Sequence, residues 1–110
     1  MVQYDFLGAS FGALADPTRR GILEHLGHGP ASVTELADRF EMTLTGMKKH
    51  LRLLEGAGMI VTEKRGRVRY CRLGANIFDR EVAWLQNYRR MVEARMDRLG
   101  EFLERTEHNQ

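Results

Sequence analysis

The chain has 110 residues, 43% of them hydrophobic and 29% charged, with a formal net charge of +2; this predicts one domain over 1–110 and excludes disorder, collagen and coiled-coil fibre. No apolar run approaches the ~20 residues of a membrane span, and Met1 to Ser10 lacks the basic lead and apolar centre of a secretory signal. The single cysteine, Cys71, excludes an internal disulfide and fits a reducing cytoplasm.

Tyr4, Leu7, Phe11 and Leu14 fall at helical spacing, which predicts a short amphipathic helix over about 4–15. Asp16 then suits an N-cap and Pro17 the first position of a second helix. Its apolar residues Ile22, Leu23 and Leu26 run up to Gly27 and Gly29, and Pro30 marks the stop. Ser32-Val33-Thr34-Glu35 reads as a capping box that opens a short third helix, with Val33, Leu36 and Phe40 inward. After the break Glu41-Met42-Thr43, Thr43 caps a fourth helix. Its wheel puts Leu44, Met47, Leu51 and Leu54 on the core face. Thr45, Gly46, Lys49, Arg52 and Leu53 lie opposite, and Lys48 and His50 flank them. Gly56 and Gly58 end that helix. Ile60-Val61-Thr62 and Val68-Arg69-Tyr70 are β-rich, with Lys64-Arg65-Gly66-Arg67 as a hairpin tip between them. A long helix follows, from about Ile77 to Arg105, a rod of roughly 43 Å.

The small net charge hides an uneven distribution. From Thr43 to Arg72 there are eight basic residues (Lys48, Lys49, Arg52, Lys64, Arg65, Arg67, Arg69, Arg72) against two acidic ones, Glu55 and Glu63. That segment carries +6 and the rest of the chain −4, the footprint of a polyanion binder. Two short helices around a tight turn, followed by a basic hairpin, predict a mainly α fold of five to six helices: a winged helix-turn-helix. In that geometry the second helix of the pair enters the major groove of DNA. The expected DNA-binding set is Thr43, Thr45, Gly46, Lys48, Lys49, His50 and Arg52 from the helix, with Lys64, Arg65, Arg67 and Arg69 from the hairpin. The small residues allow close approach to the duplex, and the hairpin cations suit phosphates or a minor groove.

Four ordered stretches resemble the ArsR/SmtB-type winged-helix transcriptional regulators. They are Ala13-Leu14-Ala15-Asp16-Pro17-Thr18-Arg19-Arg20-Gly21-Ile22-Leu23, Ser32-Val33-Thr34-Glu35-Leu36-Ala37, Lys49-His50-Leu51-Arg52-Leu53-Leu54-Glu55-Gly56-Ala57-Gly58, and Gly66-Arg67-Val68-Arg69-Tyr70. The resemblance implies a cytoplasmic homodimer that binds an operator and usually represses transcription. It also raises metal sensing. The family's thiolate site uses a Cys-Val-Cys-like run, but Ser32-Val33-Thr34 stands in the matching stretch, so both thiol positions are hydroxyls. A second family site draws Asp and His from the last helix, which here holds no histidine before His108. Soft metals need thiolate or imidazole donors, so no metal and no cofactor is expected. His25 and His28 lack a third nitrogen or sulfur donor nearby and read as solvated or C-cap residues.

Catalytic signatures are missing: there is no Gly-x-Ser-x-Gly elbow, phosphate-binding glycine loop or His-Glu-x-x-His. The expectation is therefore no enzyme. In the last helix Phe78, Val82, Leu85, Val92, Met96, Leu99 and Leu103 form a 4-3 seam broken at Arg89, with Trp84, Tyr88 and Met91 beside it. The expected dimer interface is Phe78, Val82, Leu85, Val92, Met96 and Leu99, joined by Tyr4, Leu7 and Phe11 from the first helix. Two rival readings stand beside a DNA-binding repressor. One is a winged helix that docks a protein and not DNA. The other is a ligand- or redox-responsive regulator using Cys71, its thiol activated by Arg69 and Arg72, although alternation with Leu73 on a strand also reads as a small buried hydrophobe.

Overall fold

The computed structural model describes the backbone over 2–108 and side chains over 6–107. Five helices and three strands follow in the order α1 (Val2–Leu14), α2 (Pro17–Leu26), β1 (Ala31–Ser32), α3 (Val33–Arg39), α4 (Leu44–Gly56), β2 (Ile60–Arg65), β3 (Val68–Leu73) and α5 (Asp79–His108). The backbone divides into two compact units, Met1–Ile77 and Phe78–Gln110.

In the first unit, local chemistry sets the helix boundaries. Asp16 caps α2 by accepting the Arg19 N–H at 3.0 Å, and Pro17 opens the helix where its missing donor costs nothing. Ser32 caps α3 through the Glu35 N–H at 3.0 Å, and Thr43 caps α4 through the Gly46 N–H at 3.0 Å. The turn between α3 and α4 is a Schellman motif. Met42 N–H reaches the Ala37 carbonyl at 2.9 Å, and Glu41 N–H reaches Asp38 at 3.2 Å. Glu41 holds the left-handed position that glycine usually takes there, at φ 54°.

The core is built from Ile22, Leu23 and Leu26 of α2, Val33, Leu36 and Ala37 of α3, Met47, Leu51 and Leu54 of α4, and Met59, Ile60 and Cys71. The predicted inward face of α4 holds except at its first residue. Leu44, the first residue of α4, is 47% exposed. Helix α1 starts at Val2, two residues before the predicted start, and ends at Leu14. Among its described side chains Ser10 and Ala13 are buried, whereas Leu7 and Phe11 are half-buried. The Tyr4 side chain lies outside the described residues.

The predicted hairpin gains a third strand. The sheet order is β1-β3-β2, all antiparallel, with Ala31 opposite Cys71 and Ser32 opposite Tyr70. Two residues, the second of them the N-cap of α3, carry no alternation, so β1 had no pattern of its own to announce it. The β2–β3 ladder is longer than predicted and closes at Arg65 opposite Val68. The tip is therefore only Gly66-Arg67, with Gly66 at φ 64°, the conformation a tight hairpin asks of its first turn residue.

In the second unit, α5 runs 30 residues, about 45 Å. It begins at Asp79 and not at Ile77. Phe78 sits at φ 72°, outside helical geometry, so this predicted seam residue precedes the helix, and its carbonyl accepts the Val82 N–H at 2.8 Å. Val82, Leu85, Val92, Met96, Leu99, Phe102 and Leu103 are exposed along α5. The Trp84 and Tyr88 rings stack beside them, centroids 5.5 Å apart. Arg89, which breaks the seam, pairs with Glu93 at 3.0 Å. Among the described residues no helix is long and apolar enough to cross a membrane.

Candidate nucleic-acid interface

Helix α4 buries Met47, Leu51 and Leu54, so the residues about 180° away face solvent. Thr45, Lys49 and Arg52 are exposed there, and Lys48 on the flank and Thr43 at the N-cap are exposed too. Gly46 is half-buried for a local reason. A Cβ at this position would lie 3.2 Å from both Met42 Cε and the Thr43 hydroxyl. A side chain there would have to press the Met42 tip and the capping hydroxyl aside by a few tenths of an ångström, so a local packing reason for glycine stands beside close approach to a duplex.

His50 departs from its predicted place. The helical period puts it on the flank of the DNA-facing side, but its side chain is only 20% exposed and turns back toward α2. Its Nδ1 accepts from the Arg19 guanidinium at 3.2 Å and lies 3.9 Å from the Asp16 carboxylate. A ring held by those two groups does not reach outward to a phosphate. Nothing in the spacing of the chain links positions 31 residues apart, so the sequence carried no sign of this contact. The Arg19 backbone N–H, helped by the Arg19 guanidinium, holds the Asp16 carboxyl below its ordinary 3.8.

The hairpin cations divide between two faces. Residues opposite each other in an antiparallel ladder point to the same side, so Thr62, Cys71, Lys64 and Arg69 share one face. The Thr62 hydroxyl donates to Glu55 of α4 at 2.8 Å, which identifies this as the side toward the helices. Arg69, Lys48 and Arg52 line a cleft of about 230 Å³ between α4 and the sheet. Arg65 and Arg72 alternate to the other face, where Glu63 lies 3.6 Å from Arg65 and 3.2 Å from Arg72. Arg67 stands exposed in the turn. Cations that look equivalent in the sequence thus form a helix-side set and a back-face set held by Glu63.

Cys71 is fully buried. Burial pushes its thiol up from 9.0 to about 11, the Glu55 carboxylate adds to the rise, and Arg69 opposes it. The expected activation by Arg69 and Arg72 is overturned: desolvation outweighs Arg69, and Arg72 is engaged by Glu63. The thiolate needed for redox chemistry is disfavoured at neutral pH. Among the described residues, no three His, Cys, Asp or Glu side chains gather as metal ligands.

A helix pair around a Schellman turn, with the second helix presenting a polar and cationic face beside a basic β-hairpin, is a winged helix-turn-helix, a DNA-binding module. Residues 14–63 match the family model described as a helix-turn-helix domain. The transcriptional repressor SdpR of Bacillus subtilis is 30% identical over 78 residues, which cover 71% of this chain and 87% of the relative. A crystal structure of an ArsR family transcriptional regulator is 45% identical, with a TM-score of 0.75 over 81% of this chain and 92% of that one. A homodimeric winged helix-turn-helix DNA-binding domain from Mycobacterium bovis is 26% identical, with a TM-score of 0.66 over 79% of this chain and 81% of that one. The chain belongs to the ArsR family of winged helix-turn-helix transcriptional regulators, and it is a DNA-binding protein.

Proposed function

We propose that this chain acts in the cytoplasm as a homodimeric repressor, one DNA-binding domain with α1 and α5 as dimerisation helices, on a palindromic operator. Helix α4 enters the major groove, with Thr45 and Lys49 at base edges and Thr43, Lys48 and Arg52 at the backbone. The wing contributes Lys64, Arg67 and Arg69 to phosphates. It acts by binding alone, with no catalytic step.

The observation that carries this reading is the placement of Arg69 of the wing with Lys48 and Arg52 of the recognition helix around one cleft. Glu55 also lines that cleft, and the three cations from two elements outnumber it along one polar edge, which suits a polyanion. Repression follows the character of SdpR, and self-association that of the Mycobacterium bovis domain. The exposed apolar run of α5 supports the same assembly, because contiguous apolar surface of this extent marks a partner site. Two reading heads on a two-fold axis require half-sites centred about 34–36 Å apart.

The test is selection of duplexes from a random pool, followed by salt titration. A palindrome should emerge, and log affinity should fall steeply and linearly with log salt. A flat salt dependence would favour the protein-docking module instead.

A further inference from the structure

We infer that Arg19 is a positioning residue: through His50 it sets the rotation of the recognition helix and ties that rotation to the end of α1. The inference rests on α4 being the reading helix, as proposed above.

One guanidinium bridges two helices from a third. Arg19 Nε donates to the Ala13 carbonyl at 2.9 Å and Nη2 to the Gly12 carbonyl at 3.1 Å. These are among the last carbonyls of α1, beyond the reach of its i→i+4 ladder, and the Gly12 carbonyl also accepts the Ala15 N–H at 3.2 Å. Arg20 treats the next one alike, donating to Leu14 at 2.7 Å. The third arm, Nη1, points away from α1 to His50 Nδ1 on α4 at 3.2 Å. A guanidinium has donors only, so Nδ1 is the acceptor and the ring carries its proton on Nε2. The base of the fork is held as well, because the Arg19 N–H is bound by the capping carboxylate of Asp16. The planar, fivefold donor geometry of arginine suits this task, and lysine cannot reproduce it.

The position of His50 explains what the contact controls. Met47, Leu51 and Leu54 seat α4 on the core along one ridge, and near its C-terminal end Glu55 accepts the Thr62 hydroxyl at 2.8 Å, which fixes that end to β2. His50 lies on the flank of that ridge, more than one turn nearer the start of the helix than Glu55, so the Arg19 contact acts on the roll of the turns that carry Thr45 and Lys49. With side chains the helix radius is about 5–6 Å, so a roll of about 10° moves outward side-chain atoms by about 1 Å. Hydrogen bonds to base edges do not survive such a shift, whereas contacts of long cationic side chains to phosphates do. Loosening the tether should therefore cost sequence discrimination and leave general DNA affinity intact.

The probes are the duplex selected from a random pool by the wild-type protein and a scrambled duplex of equal length. His50→Ala should bind the selected duplex about tenfold more weakly, while the scrambled duplex and its salt slope stay unchanged. His50→Gln, which restores an acceptor oxygen, should recover most of the loss. Arg19→Lys added to His50→Ala should lower discrimination between the two duplexes no further, because the link to α4 is already cut, even though it also removes the bonds to Ala13 and Gly12. Wild-type affinity in His50→Ala, parallel loss on both duplexes, or failure of the glutamine to rescue would each overturn the inference. Selection of no duplex at all would defeat the DNA reading itself. Amide exchange of α4 without DNA then decides the positioning claim alone: faster exchange in His50→Ala but not in His50→Gln supports it, and equal exchange in both overturns it.

Discussion

Replacing Leu85 and Val92 together by glutamate separates the folding of this protein from its assembly. Leu85 is 49% and Val92 44% exposed in the protomer, so neither change opens a cavity, and exposed substitutions of this kind stay within about 0.5 kcal/mol. Helix α5 tolerates them. A carboxylate at position 85 would sit four residues before Arg89 and one at position 92 three residues after it, both favourable pairings. Glutamate also forms helix at least as well as valine. In a dimer built on the α5 seam the two changes bring four carboxylates into a dry interface. Unpaired, each costs several kcal/mol, so the total is on the order of 10 kcal/mol. Even a nanomolar dimer is held by only about 12 kcal/mol, so association should fall to millimolar or weaker. Sedimentation velocity should show a monomer with unchanged far-ultraviolet circular dichroism. Affinity for the palindrome should collapse, because the second half-site is no longer bound intramolecularly, while weak salt-dependent binding persists. A double variant that remains folded and dimeric would refute the seam. A monomer that binds the palindrome at full strength would refute the link between dimerisation and reading.

The two faces of the wing give a graded expectation. Arg69→Ala and Arg67→Ala should weaken binding to all sequences alike and reduce the salt slope by about 1 each, and Arg65→Ala, on the face held by Glu63, should do less. Substitution of Thr45 or Lys49 should instead relax base preference by about 1–3 kcal/mol per lost base contact, measured by competition between variant duplexes. Native Cys71 should resist alkylation by iodoacetamide at neutral pH and react only after denaturation, with DNA affinity unchanged by mild peroxide. The Asp16 carboxyl is held below 3.8, so its charged form contributes stability that is complete above that value and is lost as pH falls through the lowered one. In denaturant titrations across this range, wild type should lose its advantage over Asp16→Asn as the solution is acidified.

Much of this molecule is written locally. Capping residues signal their own helices: Asp16 before Pro17, Ser32 three residues before Glu35, and Thr43 before the α4 ridge each act within four residues of chain. The apolar ridge Met47, Leu51 and Leu54 is likewise a matter of helical period, and with it comes the outward placement of Thr45, Lys49 and Arg52. The winged helix-turn-helix and its charged edge were legible for that reason. What the sequence left open depends on contacts between distant segments. Strand β1 exists only because β3 offers it a free edge, and Cys71 is buried because the sheet and helices close over it. Arg65 and Arg69 differ in role because strand alternation sends one toward Glu63 and the other toward α4, and that assignment needs the ladder register. His50 is the clearest case. Its period puts it beside the reading face, yet its side chain is taken by Arg19, 31 residues earlier in the chain. Period and capping are properties of neighbours in sequence, whereas the direction of a flanking side chain is decided by whichever partner the tertiary fold brings within hydrogen-bonding distance.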